Sequence, residues 1–208
     1  MVTWCLPTVN GLRVSQQNAG ALATVSYGTA LGVVRAAKEE GKCIQVITTE
    51  TRPALQGSRL TAYELREDGF DVTVVCDTAV GSLMQQGRVD KVLVGADRIT
   101  KTGHVFNKIG TYQIATLAQR HNIPFYPVAP TSTFDLESSW EKVVIEERSV
   151  SEVEAIQGRR VAPKGVRVFN PVFDVTPPEL ITAIITDRGI LRPPLEQSIR
   201  QAIQTIHR

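Results

Sequence analysis

Apolar positions along this chain follow two periods in turn. GALATVSYGTALGVVRAAKEEGK (20–42) spaces small and apolar residues as one face of a helix does, and it stops at a glycine. CIQVITTE (43–50) is a short apolar run ending in an acid, as a buried strand would. GSRLTAYELREDG (57–69) returns to amphipathic helical spacing and ends at Gly69. DVTVVCD (71–77) predicts a strand, AVGSLMQQG (79–87) a short helix, and KVLVGAD (91–97) another strand. KIGTYQIATLAQRHN (108–122) predicts a helix with Asn122 near its C-cap, and IPFYPVAP (123–130) a strand broken by prolines. Parallel neighbours need a crossover of a dozen or more residues, which these helices supply. The expected fold is therefore α/β: a Rossmann-like, doubly wound, mostly parallel sheet with helices on both faces. In that fold ligands bind outside the carboxyl ends of the strands, where Glu50, Asp77 and Asp97 are delivered.

The second half of the chain is less regular. KVVIEER (142–148) is a candidate strand, and VAPKGVRVFNPVFDVTP (161–177) reads as a long covering loop with strand pieces. PPELITAIITDRG (177–189) has Pro at its start and Gly at its end, the bounds of a helix. LEQSIRQAIQTIHR (195–208) is amphipathic and is expected to pack back or to reach a partner. With no repeat and no low-complexity linker, one domain is expected over 18–192, with an atypical segment at 1–17 and a tail at 193–208.

Composition narrows the function classes. At 208 residues the chain can bury a sizeable core, and 42% apolar with 21% charged residues is ordinary for a globular domain. A net charge of +2 without a basic cluster gives no electrostatic footprint for nucleic acid. The three cysteines, Cys5, Cys43 and Cys76, have no metal-ligand or redox spacing, which favours free thiols in a reducing compartment. Cys76, late in an apolar strand, is expected to be buried and inert. His104, His121 and His207 are scattered, so no zinc site is expected. No apolar run is long enough to span a membrane, and MVTWCLPTVNGLR lacks the build of a signal peptide, so a cytoplasmic protein is expected.

The stretch VLVGADRITKTGHVFNKIGTY (92–112) carries the most chemistry. An acid at the end of an apolar strand is partly desolvated, which raises its pKa toward neutrality and suits proton transfer. Asp97 fits that role. It also fits an ordinary loop cap that accepts backbone N–H bonds, and local pattern leaves both readings open. Asn107 and Lys108 precede a predicted helix, where an asparagine commonly caps and a lysine with free N–H groups can hold an anion. TETRPALQGSRLTA (49–62) sets Glu50, Arg52, Gln56 and Arg59 around a strand-to-helix turn that could bond sugar hydroxyls or phosphate. No GxGxxG or GxxxxGK[ST] loop and no nucleophile elbow occurs, which removes support for dinucleotide, P-loop and serine-hydrolase chemistry.

Six strings, NAGALATVSYGTALGVVRAA, TETRPALQGSRLTAYEL, VGADRITKTGHVFNKIGTYQIATLA, IPFYPVAPTSTFDL, IEER and FNPVFDVTPPELITAIITDRG, resemble in order those of the methylthioribose-1-phosphate isomerases. These belong to the superfamily of translation initiation factor 2B regulatory subunits and ribose-1,5-bisphosphate isomerase. The resemblance runs from about residue 18 to about residue 192. It implies conversion of 5-methylthioribose 1-phosphate to 5-methylthioribulose 1-phosphate in methionine salvage, with no cofactor or metal. The family's acid–base aspartate falls on Asp97, its substrate-holding glutamine on Gln56 and its Asn-Lys pair on Asn107 and Lys108. It also implies a homodimer and a phosphosugar ligand, with neither nucleic acid nor membrane as partner. Two departures stand out. The family reads His-Cys-Asn where this chain has Gln16, Gln17 and Asn18, so an amide, which cannot become a thiolate, occupies the catalytic cysteine's position at Gln17. The family's helical N-terminal domain, with its Arg-Gly-Ala-Pro loop, has no counterpart in these residues. An isomerase with impaired turnover is one expectation; a non-catalytic, sugar-phosphate-binding regulatory relative is the other.

Overall fold

A computed structural model describes the backbone of residues 12–17 and residues 28–204, with side chains over 28–203. The first half runs β1 (Leu12–Gln17), α1 (Ala30–Glu39), β2 (Ile44–Thr49), a wide helical turn at Gly57–Thr61 continuing as α2 (Ala62–Glu67), and β3 (Asp71–Val75). It continues with α3 (Val80–Gln85), β4 (Lys91–Val94), β5 (Arg98–Thr100), β6 (Val105–Lys108), α4 (Thr111–Arg120) and β7 (Phe125–Pro127). The second half holds β8 (Phe134–Asp135), α5 (Ser151–Glu154), β9 (Ala155–Ile156), β10 (Arg159–Arg160), β11 (Phe173–Thr176), β12 (Ile184–Thr186), β13 (Gly189–Leu191) and α6 (Leu195–Gln204).

The main sheet has the order β3-β2-β1-β4-β7, and every pairing in it is parallel. The chain is thus of the α/β class with a parallel sheet. Successive side chains on a strand point to opposite faces, and β4 shows the consequence. Val92 and Val94 join one apolar cluster with Leu83 and Met84 of α3 and Ile114 and Ala118 of α4. Leu93 between them joins another, with Leu31 and Val34 of α1 and Leu65 of α2. Arg35 of α1 bridges Glu64 at 3.2 Å and Asp68 at 2.6 Å, tying α1 to the end of α2.

A second sheet, β11-β6-β5-β8, rises from the end of β4. It sets β6 antiparallel to both β5 and β11. The residue after Val94's loop, Asp97, donates its backbone N–H to the carbonyl of Phe106 at 2.9 Å. The strand tip is thereby stitched to β6 one residue from Asn107.

Three expectations are corrected. Residues 177–189 form a single turn at Pro178–Leu180 and then the β12–β13 hairpin, not a helix. Isoleucine and threonine in ITAIIT fit a pleated surface better than a helix. The segment 142–148 forms no continuous strand; it contributes one isolated bridge, Glu147 to Pro171. Cys76, just past the end of the edge strand β3, is exposed, and Cys43, just before β2, is exposed too. The predicted helix at 20–42 is seen as α1 over Ala30–Glu39, and its residues 20–27 lie outside the described residues. The tail packs back: Leu195, Ile199 and Ile203 of α6 are buried in the α3–α4 cluster. No helix among the described residues is long and apolar enough to cross a membrane.

Candidate active site

The aspartates of this chain sort themselves by what their carboxylates hold. Asp77 accepts the N–H groups of Thr51 at 2.8 Å and Arg52 at 2.7 Å. Asp135 accepts from Glu137 and Ser138, and Asp187 from Thr131. Asp174 accepts from Gly110 at 2.7 Å and Tyr112 at 3.1 Å. These four are loop and helix caps, the ordinary use of a short carboxylate. The Asp97 carboxylate bonds to no donor among the described residues. Of the two readings its position allowed, the loop cap finds no donor among the described residues.

Asp97 is open to solvent by surface area, yet enough protein crowds its carboxyl to raise its pKa above the usual range. The positive charge of Lys108 partly offsets that rise. Lys108 is the converse. It is buried, and its ammonium titrates below the usual lysine range. Burial is the main cause, Arg148 adds repulsion, and Asp97, Glu146 and Glu152 pull the other way. Its Nζ lies 4.9 Å from the centre of the Phe173 ring, a cation–π contact, and no carboxylate forms an ion pair with it among the described residues. An acid held toward its neutral form beside a cation held short of full hydration is a pair suited to exchanging protons and gripping an anion.

Asn107 and Lys108 are the last two residues of β6, not a helix start. The helix begins after Gly110, whose φ of 98° only glycine adopts readily. The Asn107 amide is buried and donates through Nδ2 to Thr111 Oγ1 at 2.9 Å. Thr111 in turn donates to the Lys108 carbonyl at 2.6 Å.

Gln56 completes the constellation. Its Oε1 is buried and has no hydrogen-bond partner among the described residues, a costly state for a polar atom unless a ligand supplies the donor. Gln56 shares a narrow crevice with Lys108, Arg148, Glu152 and Asn170. Beside it, sharing Pro53, Ala54 and Glu152, lies a wider depression of about 570 Å³ that Arg52 and Arg59 also line. The loop bearing Gln56 is held in an uncommon backbone: Thr51, a β-branched residue, has φ 61°, and the two amides on Asp77 fix it there.

The structure thus brings Gln56 and Lys108 into one crevice and couples Asp97 to Lys108. Gln17 ends β1 opposite Val94, at the carboxyl edge where Asp97's loop departs; its side chain lies outside the described residues. Glu50, Asp77 and Asp97 do not gather: no group of three or more His, Cys, Asp or Glu suited to a metal exists among the described residues. Two residues of the site escaped sequence reasoning. Arg148 came only as part of the string IEER, and Asp174 as part of FNPVFDVTP; an acid inside an otherwise apolar strand string was the available signal for the second.

The family model described as initiation factor 2 subunit family matches residues 14–193. The chain belongs to that family. Within the family it is similar to methylthioribose-1-phosphate isomerases. The relative from Fervidobacterium nodosum is 58% identical over 188 residues, covering 90% of this chain and 54% of the relative. That from Carboxydothermus hydrogenoformans is 60% identical over 185 residues, covering 88% and 54%. Among solved structures, 5-methylthioribose 1-phosphate isomerase from Pyrococcus horikoshii superposes with a TM-score of 0.90 at 47% identity, covering 94% of this chain and 55% of that one. The translation initiation factor eIF-2B subunit delta from A. fulgidus superposes equally well, at 0.90 and 54% identity, covering 93% and 57%. The chain spans about half the length of the curated relatives it matches.

Proposed function

We propose that this chain carries the acid–base and sugar-gripping face of a methylthioribose-1-phosphate isomerase, a cytoplasmic enzyme of methionine salvage. The observation that supports this most is the carboxylate of Asp97, uncapped among the described residues and under the charge of buried Lys108, whose crevice also holds a Gln56 Oε1 without a described partner. The anomeric carbon of the substrate bears phosphate, so the ring must open with help at its oxygen. Asp97, held toward its protonated form, hands a proton to that oxygen. Lys108 and Asn107 hold the phosphate and nearby hydroxyls, and Gln56 Oε1 accepts from a sugar hydroxyl. The isomerisation is internal, so it needs no external oxidant or reductant. The frame is the doubly wound arrangement: strand order reverses direction between β1 and β4, and right-handed crossovers then put α1 and α2 on one face and α3 and α4 on the other. The split of β4 side chains between two apolar clusters supports this.

A second reading is a sugar-phosphate-binding regulatory subunit. Gln17, at the carboxyl end of β1, favours it, because an amide cannot act as an acid or a thiolate. A coupled assay with 5-methylthioribose 1-phosphate decides. Turnover is expected, and Gln17→Cys is expected to raise it. Binding by calorimetry without turnover in either form rejects the isomerase and leaves the regulatory reading.

The proposed assembly is a homodimer. Large apolar side chains stand exposed between 140 and 169, with Val144 at 91%, Phe169 at 73%, Val161 at 58% and Val166 at 52%. Isolated exposed apolar residues are normal, but a concentration in one segment marks a surface that another protein covers. Light scattering is expected to give twice the mass of the chain, and Val144→Ser with Phe169→Ser to shift it toward the monomer. A monomeric wild type at micromolar concentration rejects the dimer.

A further inference from the structure

Asp174 stands on β11 directly opposite Asn107 of β6, and Phe173 stands opposite Lys108. One strand thus backs both members of the Asn-Lys pair. Phe173 meets Lys108 through its ring. Asp174 acts differently. It reaches past β6 to the start of α4, where Oδ2 takes the Gly110 N–H at 2.7 Å and Oδ1 takes the Tyr112 N–H at 3.1 Å. The N-cap residue, Gly110, has no side chain with which to cap the helix, and a carboxylate from a remote strand takes that place. From there the chain of bonds runs back toward the site. Thr111, between the two held amides, donates to the Lys108 carbonyl and accepts from the Asn107 amide.

We propose that Asp174 is a positioning residue for the Asn107–Lys108 grip, fixing the turn at Ile109–Gly110 so that the Asn107 amide and the Lys108 ammonium are held ready for an anionic sugar. This deepens the functional reading above and rests on it for the identity of the ligand. Asp174 touches no reacting atom; it acts through Thr111. Burial pushes its carboxyl up to about 6, against the pull of the backbone N–H groups it accepts. Near that pH it changes between a carboxylate accepting at both oxygens and an acid with one oxygen turned donor. On the elements packed against it, Lys108 of β6 and Tyr112 of α4 lie beside its register, and Arg120 lies at the far end of α4. None of these side-chain charges sets its protonation, whereas Arg148, Glu146, Glu152 and Asp97 act on Lys108.

The test is a pH titration of the ¹⁵N-labelled chain followed by amide chemical shifts, without ligand. The Gly110 and Tyr112 backbone amides and the Asn107 side-chain amide are expected to move together, with one midpoint near the value of about 6 that burial gives Asp174. In Asp174→Asn that shared transition disappears. An Asn107 amide that ignores the Gly110 midpoint overturns the proposal, as does the absence of any transition at Gly110 and Tyr112. Because this readout uses the wild type, it stands even where the variant folds poorly. Calorimetry with 5-methylthioribose 1-phosphate at pH 7 is expected to show affinity about tenfold weaker in Asp174→Asn, the scale of one hydrogen bond to a charged group. Unchanged affinity in a folded variant also overturns it. A wild type that binds no sugar phosphate but keeps the coupled titration rejects the functional reading and leaves the positioning intact.

Discussion

Gly57→Ala is expected to lower stability by about 3 kcal/mol or more, because it overpacks a site that cannot yield. A Cβ on Gly57 would lie 1.8 Å from the carbonyl oxygen of Thr49 and 2.7 Å from Thr51 Oγ1. The Thr49 oxygen belongs to β2, which is paired on both sides by β1 and β3, so the strand has no room to withdraw. The turn at Gly57–Thr61 has to lift instead, and it carries Gln56 with it. Unfolding by heat should show a midpoint lower by about 6–12 °C, the usual conversion for a chain of this size. Gly41→Ala is the control: φ is +79°, but nothing lies within 4 Å of the added carbon, so only the backbone penalty of about 1–2 kcal/mol applies. Equal losses for the two substitutions would show that the contact with Thr49 is not what makes Gly57 necessary. Ligand affinity separates them further, since only the Gly57 change displaces the buried acceptor of Gln56.

The parts of the fold legible in the sequence are those with short-range causes. A buried parallel strand is an apolar run between breakers, and CIQVITTE, DVTVVCD and KVLVGAD each contain a strand, the last ending at Val94, three residues short of Asp97. Where the same local signs have two meanings, reading fails. Pro at 177–178 and Gly189 bound a helix in one context and a turn with a hairpin in another; β12 and β13 pair with each other and abut Val128, a contact no local window contains. KIGTYQIATLAQ continues the helical spacing through Lys108, which by local pattern puts Asn107 and Lys108 at a helix start. Pairing of β6 with β5 and β11 overrides that spacing and moves the pair into a strand. Asp97 was legible as the acid at a strand tip. What distinguishes it from Asp77, a carboxylate that no backbone amide of the described residues caps, was not. Nor was Asp174 as a cap, since its partner Gly110 is 64 positions away.

Asp97→Asn is expected to reduce turnover by about 10²–10⁴-fold, the range that a positioned acid–base group contributes. The substitution keeps size and removes both the proton and the negative charge. Its effect on binding runs the other way. Asp97 is one of the groups that raise the pKa of Lys108, so its loss leaves the ammonium harder to keep protonated and moves the alkaline limit of anion binding to lower pH. Below that limit, removal of a nearby negative charge favours a phosphorylated ligand. The split is therefore diagnostic: kcat collapses while KM at pH 7 stays level or falls. Lys108→Met is expected to give the opposite pattern, with KM raised and kcat less affected, because on the proposed roles it deletes the grip and leaves the proton donor. The sign with pH follows from the direction of the Asp97 shift. A donor must be protonated, and burial holds Asp97 in that form to higher pH than an ordinary carboxylate. Activity should accordingly fall as pH rises through that elevated titration, and the fall should be missing from whatever residual rate Asp97→Asn retains. A variant that loses affinity but keeps kcat would place Asp97 in the binding wall and move the proton transfer to another group.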